Sequence, residues 1–224
     1  ESGFEILMSK RRIPQKRINC VVIAGDGATN DIGMKTSCAV LGRNHNFLYI
    51  CLDNEAYMNT GVQRSSATPH GASTTTTPLG KVTKGRIGWK KDMASIIAAH
   101  NIPYVATACP SYPFDLMDKV KRGAEIKGPA YIHVLSPCPT GWRFPTNMTI
   151  KLGRLAVQTG FFPLYEVENG CYKLNVSYAK LKPVEDYLSP QGRFRHLDGG
   201  EIKEIQEKVN ERYVKLLEKT KGVK

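Results

Sequence analysis

The residues most able to do chemistry in this chain are Gly25-Asp26-Gly27 and, in the next polar loop, Asn54. A carboxylate and a side-chain carbonyl are hard oxygen donors, the kind that magnesium takes alongside phosphate oxygens. Asp26 would supply the first, Asn54 the second, and a main-chain carbonyl near Ala56 a third. Gly25 and Gly27 let the backbone approach a phosphate with no Cβ in the way. A helix beginning near Asn30 would add amide groups and a positive dipole end. A lone GDG triplet is a common turn. Joined to an asparagine at the end of the following strand-like run, it describes a site for a diphosphate bound through a divalent ion.

Such a site needs strands to aim its loops. Residues 19–24 (NCVVIA) read as a buried strand that breaks at the glycines, and 30–43 as a helix with Asn30 or Asp31 near its cap. Residues 46–52 (NFLYICL) read as a second strand that ends in DNEAYMNTG. Strand, helix, strand at this spacing predicts a parallel βαβ unit. Residues 60–90 show no period and carry the run Thr74 to Thr77, which predicts a long functional loop or else a plain edge strand. Alternation then resumes: helix 90–101, strand 103–108, amphipathic helix 114–128 ending at a glycine, strand 130–138, helix 149–159. A hairpin over 162–176 turns at Glu168-Asn169-Gly170, and a charged amphipathic helix runs from about 199 to 219.

The expected fold class is therefore α/β: a mainly parallel sheet with helices on both faces, then a C-terminal hairpin and helix. Residues 1–160 form the α/β body in this reading and 161–224 an extension. Ligands collect at the carboxyl ends of strands in such sheets, and the loops 25–30 and 53–61 both begin there.

Composition narrows the function. Of the 224 residues, 41% are hydrophobic and 23% charged, the balance of a globular protein. No apolar run approaches the roughly 20 residues of a membrane span, and the N-terminus lacks the apolar centre of a secretory signal. A cytoplasmic protein is expected. The six cysteines stand apart with no CxxC pair, unlike a disulfide framework, and Cys20 and Cys51 read as small core residues. The net charge of +12 gathers in the first 17 residues, around Lys81 to Lys91, around Lys119 to Lys127 and in the last helix. No nucleic-acid reader motif accompanies it. A solvated face that meets an acidic partner is expected instead.

GDG with its distant asparagine resembles the pattern of thiamine-diphosphate-dependent enzymes. The stretches DNEAYMNTGVQRSSATPHGASTTTTPLGK (53–81), KKDMASIIAAHNIPYVATA (90–108), GPAYIHVLSPCPTGWRFP (128–145) and LAVQTGFFPLYEVENGCYKL (155–174) closely resemble the β subunits of pyruvate:ferredoxin oxidoreductases. YMNTG, rather than the YGLTKGQ of the 2-oxoglutarate enzymes, favours the pyruvate-type branch, with branched 2-oxoacid and oxalate enzymes close by. The resemblance implies a thiamine-diphosphate-binding fold that takes thiamine diphosphate and Mg2+. Asp26, Asn54 and the Ala56 carbonyl would be the magnesium ligands, with Gly25, Gly27, Ala28 and Thr29 against the cofactor. Asn59 would sit beside the diphosphate and the substrate, flanked by Met58 and Thr60. Cys138, in SPCPTGW, would be one ligand of a shared [4Fe-4S] cluster.

The match also fails in places. Family β subunits carry three further cluster cysteines in a segment before the GDG, and Cys20 fits none of them. The glutamate that activates the cofactor comes from another subunit or domain in this family, and Glu55 reads as an ordinary loop carboxylate. The implied reaction is oxidative decarboxylation of a 2-oxoacid, with coenzyme A and ferredoxin as acceptors and further subunits as partners. Lys119, Lys121 and Arg122 would help to dock a partner. Two other classes stay open: a non-redox thiamine-dependent decarboxylase or carboligase, and a non-catalytic remnant that binds partner subunits.

Overall fold

A computed structural model describes residues 2–14, 18–80 and 84–222. Lys81 and the basic residues at 16 and 17 lie outside them. Helix α1 (Ser2–Ser9) buries none of its side chains, and β1 (Cys20–Gly25) follows. The next helix starts earlier than its pattern suggests and in two parts. Asp26 and Gly27 are already helical, Ala28–Ile32 form a π-helical turn, and α2 spans Met34–Leu41. The Gly33 N–H donates to the Ala28 carbonyl at 2.7 Å, closing the wider turn, and a Cβ at Gly33 would lie 2.4 Å from that oxygen. Wide turns of this kind gather at functional sites.

Then come β2 (Phe47–Asp53), α3 (Met93–Ala98), β3 (Tyr104–Ala108), α4 (Pro113–Glu125) and β4 (Ala130–Leu135). A short α5 (Pro139–Trp142), α6 (Thr149–Gln158), β5 (Tyr165–Glu168), β6 (Cys171–Leu174), α7 (Glu185–Leu188) and α8 (Gly199–Lys221) complete the chain. The threonine run is no edge strand. Thr74 and Thr77 bond to each other through side chains 2.8 Å apart, as a tight turn. Asp92 caps α3 by accepting the Ser95 N–H, and that polar start makes α3 shorter than the pattern 90–101.

The six strands run in the order β1-β2-β4-β3-β5-β6. The first four are parallel, and the hairpin adds β5 antiparallel to the free edge of β3 and β6 antiparallel to β5. Its turn residues Asn169 and Gly170 have φ of +49° and +82°, the left-handed pair a two-residue hairpin needs. Alternation along the strands sorts the core into two faces. Cys51, Val105, Tyr131 and Val167 pack under α2, α3 and α8 through Leu41, Met93, Ile97 and Leu216. Leu48, Tyr104, Ala106 and Ile132 pack under α4 through Leu116 and Val120. A third cluster, with Trp142, Phe144, Leu152 and Tyr187, fills the space at α5, α6 and α7. The expected mainly parallel sheet with helices on both faces is what the chain forms.

Two expectations need correction. Lys119 is not a surface group: its side chain is 1% exposed, bonded to Asp115 at 2.7 Å and to the Thr107 carbonyl at 2.9 Å. Its place on the inner side of α4 overrides its charge. Cys20 is only half-buried, because β1 is an edge strand, whereas Cys51 is fully buried. Along β1 and β2, Val21, Ile23 and Leu52 stand exposed on the face that α4 leaves bare. Among the described residues no helix is long and apolar enough to cross a membrane.

Candidate functional site

The strand order makes neighbours of three loops. β1, β2 and β4 lie side by side, so the loops carrying Asp26, Asn54 and Cys138 leave one edge of the sheet together. Asp26 is buried, and its Oδ2 accepts the Ser65 hydroxyl at 2.5 Å. The side-chain amide of Asn54 faces Asp26 Oδ1 at 3.0 Å and the Ala56 carbonyl at 2.7 Å. Turned one way, its nitrogen donates to both. Turned the other way, as a bound hard cation would favour, the amide would add its carbonyl oxygen to those of Asp26 and Ala56. Burial, then the neighbouring Asp53 carboxylate, push the Asp26 pKa up to about 7 against the Ser65 hydrogen bond and Lys90. These oxygens fit magnesium.

The glycines differ in their reasons. A Cβ on Gly27 would lie 2.3 Å from the Tyr57 ring, whose hydroxyl donates to the Gly27 carbonyl at 3.1 Å. Gly25 meets nothing closer than 4.0 Å, which leaves the space before it open. Thr29 is buried and spends its hydroxyl on the Gly25 carbonyl, while Ala28 is exposed. Asn30, fully buried on the π-helical turn, has both side-chain polar atoms without a partner, a demand that a ligand or water must meet. Asn59 and Thr60 lie exposed on the turn after Tyr57, and Met58 packs against Gly141 beside Cys138. Cys138 is half-buried and caps α5, its Sγ accepting the Gly141 N–H at 3.5 Å. Among the described residues no group of three or more His, Cys, Asp or Glu stands ready for a metal.

Behind the loop lies a buried charge network with no signal in the sequence pattern. Lys90 bonds Asp53 at 2.5 Å and Glu55 at 2.7 Å, His133 bonds Asp53 at 2.8 Å, and Arg193 bonds Glu55 at 2.5 Å. Burial opposes the Asp53 charge, but Lys90 and His133 outweigh it and hold the carboxyl well below its usual range. Glu55 adopts the left-handed conformation, φ +67°, costly for a residue with a side chain. It is a buried, doubly paired carboxylate rather than an ordinary loop one, with Asn54 and Ala56 on either side. The Asn54 carbonyl accepts the Trp142 indole N–H at 2.8 Å, and Arg193 lies 4.0 Å over that ring. Ser65, Lys90, His133 and Arg193 are the residues that sequence reasoning missed. Within the basic run around Lys81 to Lys91, Lys90 is drawn inward, its side chain 12% exposed.

Residues 3–134 match the family described as thiamine pyrophosphate enzyme, C-terminal TPP binding domain. The chain is 52% identical over 213 residues to the pyruvate synthase subunit PorB of Methanocaldococcus jannaschii, covering 95% of this chain and 72% of that one. This chain belongs to the thiamine pyrophosphate enzymes, in their branch of 2-oxoacid oxidoreductase subunits. Another relative in that branch, the ketoisovalerate oxidoreductase subunit VorB of Pyrococcus abyssi, is 50% identical over 195 residues, covering 86% of this chain and 63% of its own. The fold is similar to that of a 2-oxoglutarate:ferredoxin oxidoreductase from Magnetococcus marinus, solved with 2-oxoglutarate, coenzyme A and succinyl-CoA bound. That likeness has a TM-score of 0.50 at 24% identity and covers 68% of this chain and 57% of the other.

Proposed function

We propose that this chain is the thiamine-diphosphate-binding subunit of a pyruvate:ferredoxin oxidoreductase, which decarboxylates pyruvate oxidatively and passes the acyl group to coenzyme A and electrons to ferredoxin. The observation that carries the reading is the meeting of the Asp26 carboxylate, the Asn54 side-chain amide and the Ala56 carbonyl at the ends of adjacent parallel strands. Relatives named for pyruvate and for ketoisovalerate lie at similar identity. The ratio of kcat/KM for pyruvate to that for ketoisovalerate decides between the two substrates.

Bound here, thiamine diphosphate would supply the electron sink that lets a carboxylate leave as carbon dioxide. The chain's own part is to bind and orient. Asp26, Asn54 and the Ala56 carbonyl hold Mg2+, and Gly25, Gly27, Ala28 and Thr29 form the wall against the diphosphate. Asn59 faces the substrate from its exposed turn, with Met58 and Thr60 beside it. Cys138 donates one thiolate to a [4Fe-4S] cluster whose other ligands come from elsewhere. Other subunits are needed for a complete enzyme. Residues 1–160 carry the site, and 161–224 widen the sheet and lay α8 over it. Exposed Lys121 and Arg122, the latter tied to Glu168, remain on the surface offered to acidic ferredoxin. The setting proposed is cytoplasmic.

Calorimetric titration of thiamine diphosphate with Mg2+ into the assembled enzyme tests the site. Wild type takes up the cofactor in a magnesium-dependent way, and Asp26→Ala abolishes that uptake. Undiminished uptake by Asp26→Ala would sink the assignment.

A further inference from the structure

Lys90 and Lys91 are consecutive, yet they serve different loops. Lys90 reaches the loop after β2 and bonds the residue on each side of Asn54, Asp53 at 2.5 Å and Glu55 at 2.7 Å. Lys91 reaches the loop after β1, where its ammonium donates to the Asn30 carbonyl and lies 3.8 Å from Asp31. Its backbone N–H donates to the Ser66 carbonyl at 2.9 Å, and the Ser66 N–H donates to Asp31 at 2.9 Å. Ser65, one residue back, holds Asp26 itself.

The two magnesium-ligand loops therefore share one anchor. Asp26 and Asn54 come from different strands, and the only covalent path between them runs through α2 and β2. Beside the Tyr57–Gly27 hydrogen bond, the dipeptide Lys90-Lys91 makes a further short link, because adjacent residues cannot drift apart. Lys90 does more than neutralise charge. Glu55 sits in a left-handed conformation that its side chain disfavours, and it stays there because Lys90 and Arg193 grip its carboxylate while Thr68 donates to its carbonyl at 2.6 Å. Were Glu55 to relax, the Ala56 carbonyl would swing away from Asp26.

Resting on the diphosphate-site reading above, we propose that Lys90 and Lys91 are positioning residues, a two-lysine tether that holds the Asp26 loop and the Asn54 loop in register for magnesium. Neither touches the metal. Each acts through the backbone of a ligand loop, so their loss weakens metal binding more than it alters the reacting groups.

The test strips the assembled enzyme with EDTA and titrates Mg2+ by calorimetry at saturating thiamine diphosphate, with unfolding midpoints of the stripped proteins read in parallel. Wild type and Asp26→Ala are the references. A wild type without magnesium-dependent uptake overturns the site reading and this proposal with it. With wild type binding and Asp26→Ala not, Lys90→Met and Lys91→Met each raise the magnesium dissociation constant by roughly 10- to 100-fold, as losses behind a metal ligand do. The double variant raises it by less than the product of the two, because the lysines act as one link. Lys90→Arg, which keeps the charge on a different fork, recovers part of the loss. If Lys90→Met does not fold, Asp53→Asn/Lys90→Met, which removes both charges of the pair, takes its place with the same expected weakening. Magnesium affinity within about twofold of wild type in the folded Lys90 and Lys91 variants overturns the tether while leaving the Asp26 site standing.

Discussion

Lys90 and Lys119 are both drawn out of solvent, their side chains 12% and 1% exposed, and they live differently. Burial opposes the charge on each. At Lys90, Asp53 and then Glu55 outweigh that cost, and the pKa is raised. At Lys119, burial wins against Asp115 and, behind it, Glu166, and the pKa is lowered. Asp115 is itself raised by burial despite Lys119. One buried lysine is over-compensated and belongs to a functional loop. The other is under-compensated and ties α4 to β3 at a cost. Burial of a charge is thus no sign of importance until the partners are counted.

Breaking one partner at each place shows the difference most plainly. Lys90→Met leaves Asp53 and Glu55 buried without their shared cation and should cost about 3–5 kcal/mol, read from denaturant unfolding of the stripped protein. A cost below about 1 kcal/mol would mean that Arg193 and His133 already suffice. Replacing both members of the other pair, Asp115→Leu with Lys119→Met, should be neutral or stabilise by about 1–4 kcal/mol, with magnesium affinity unchanged. The single change Lys119→Met should cost less than Lys90→Met, about 1–2 kcal/mol, since it strands the Thr107 carbonyl and a partly wetted carboxylate.

The smallest effect is one of pH. A lysine whose folded pKa is lowered gives up its proton before the unfolded chain does, so its contribution to stability rises with pH through the window from that lowered value to the ordinary one. Lys119→Met should therefore lose stability more steeply than wild type as the alkaline range is entered. Equal slopes would deny the under-compensation of Lys119. Between these in size, Gly27→Ala presses a methyl onto Tyr57 and should cost about 1–3 kcal/mol, relieved when Tyr57 is also shortened to Ala.

Much of this was legible in the chain because it is local. The strand–helix alternation, the hairpin turn at Asn169-Gly170 and the pair Asp26 and Asn54 are each written within a few residues of a strand end. The clamp was not legible. Lys90 meets Glu55 across 35 residues, Ser65 meets Asp26 across 39, His133 meets Asp53 across 80, and Arg193 meets Glu55 across 138. Such pairings leave no period, and a lysine in a basic run looks like solvated surface. The early start of the helix at Asp26 was hidden for another reason: Gly27 reads as a break, yet here it keeps room for the Tyr57 ring.

The reach of Arg193 back to Glu55 has a consequence for birth of the protein. On the ribosome, the loop between Asp53 and Ala56 emerges long before the guanidinium that completes its grip. At about 5–20 residues per second, the 138-residue separation is an interval of roughly 7–28 s. During that time Glu55 has Lys90 at most, and its strained backbone is free to relax. A message cut short before residue 193 would yield a polypeptide whose Glu55 carboxylate keeps Lys90 and lacks the second cation that completes its grip.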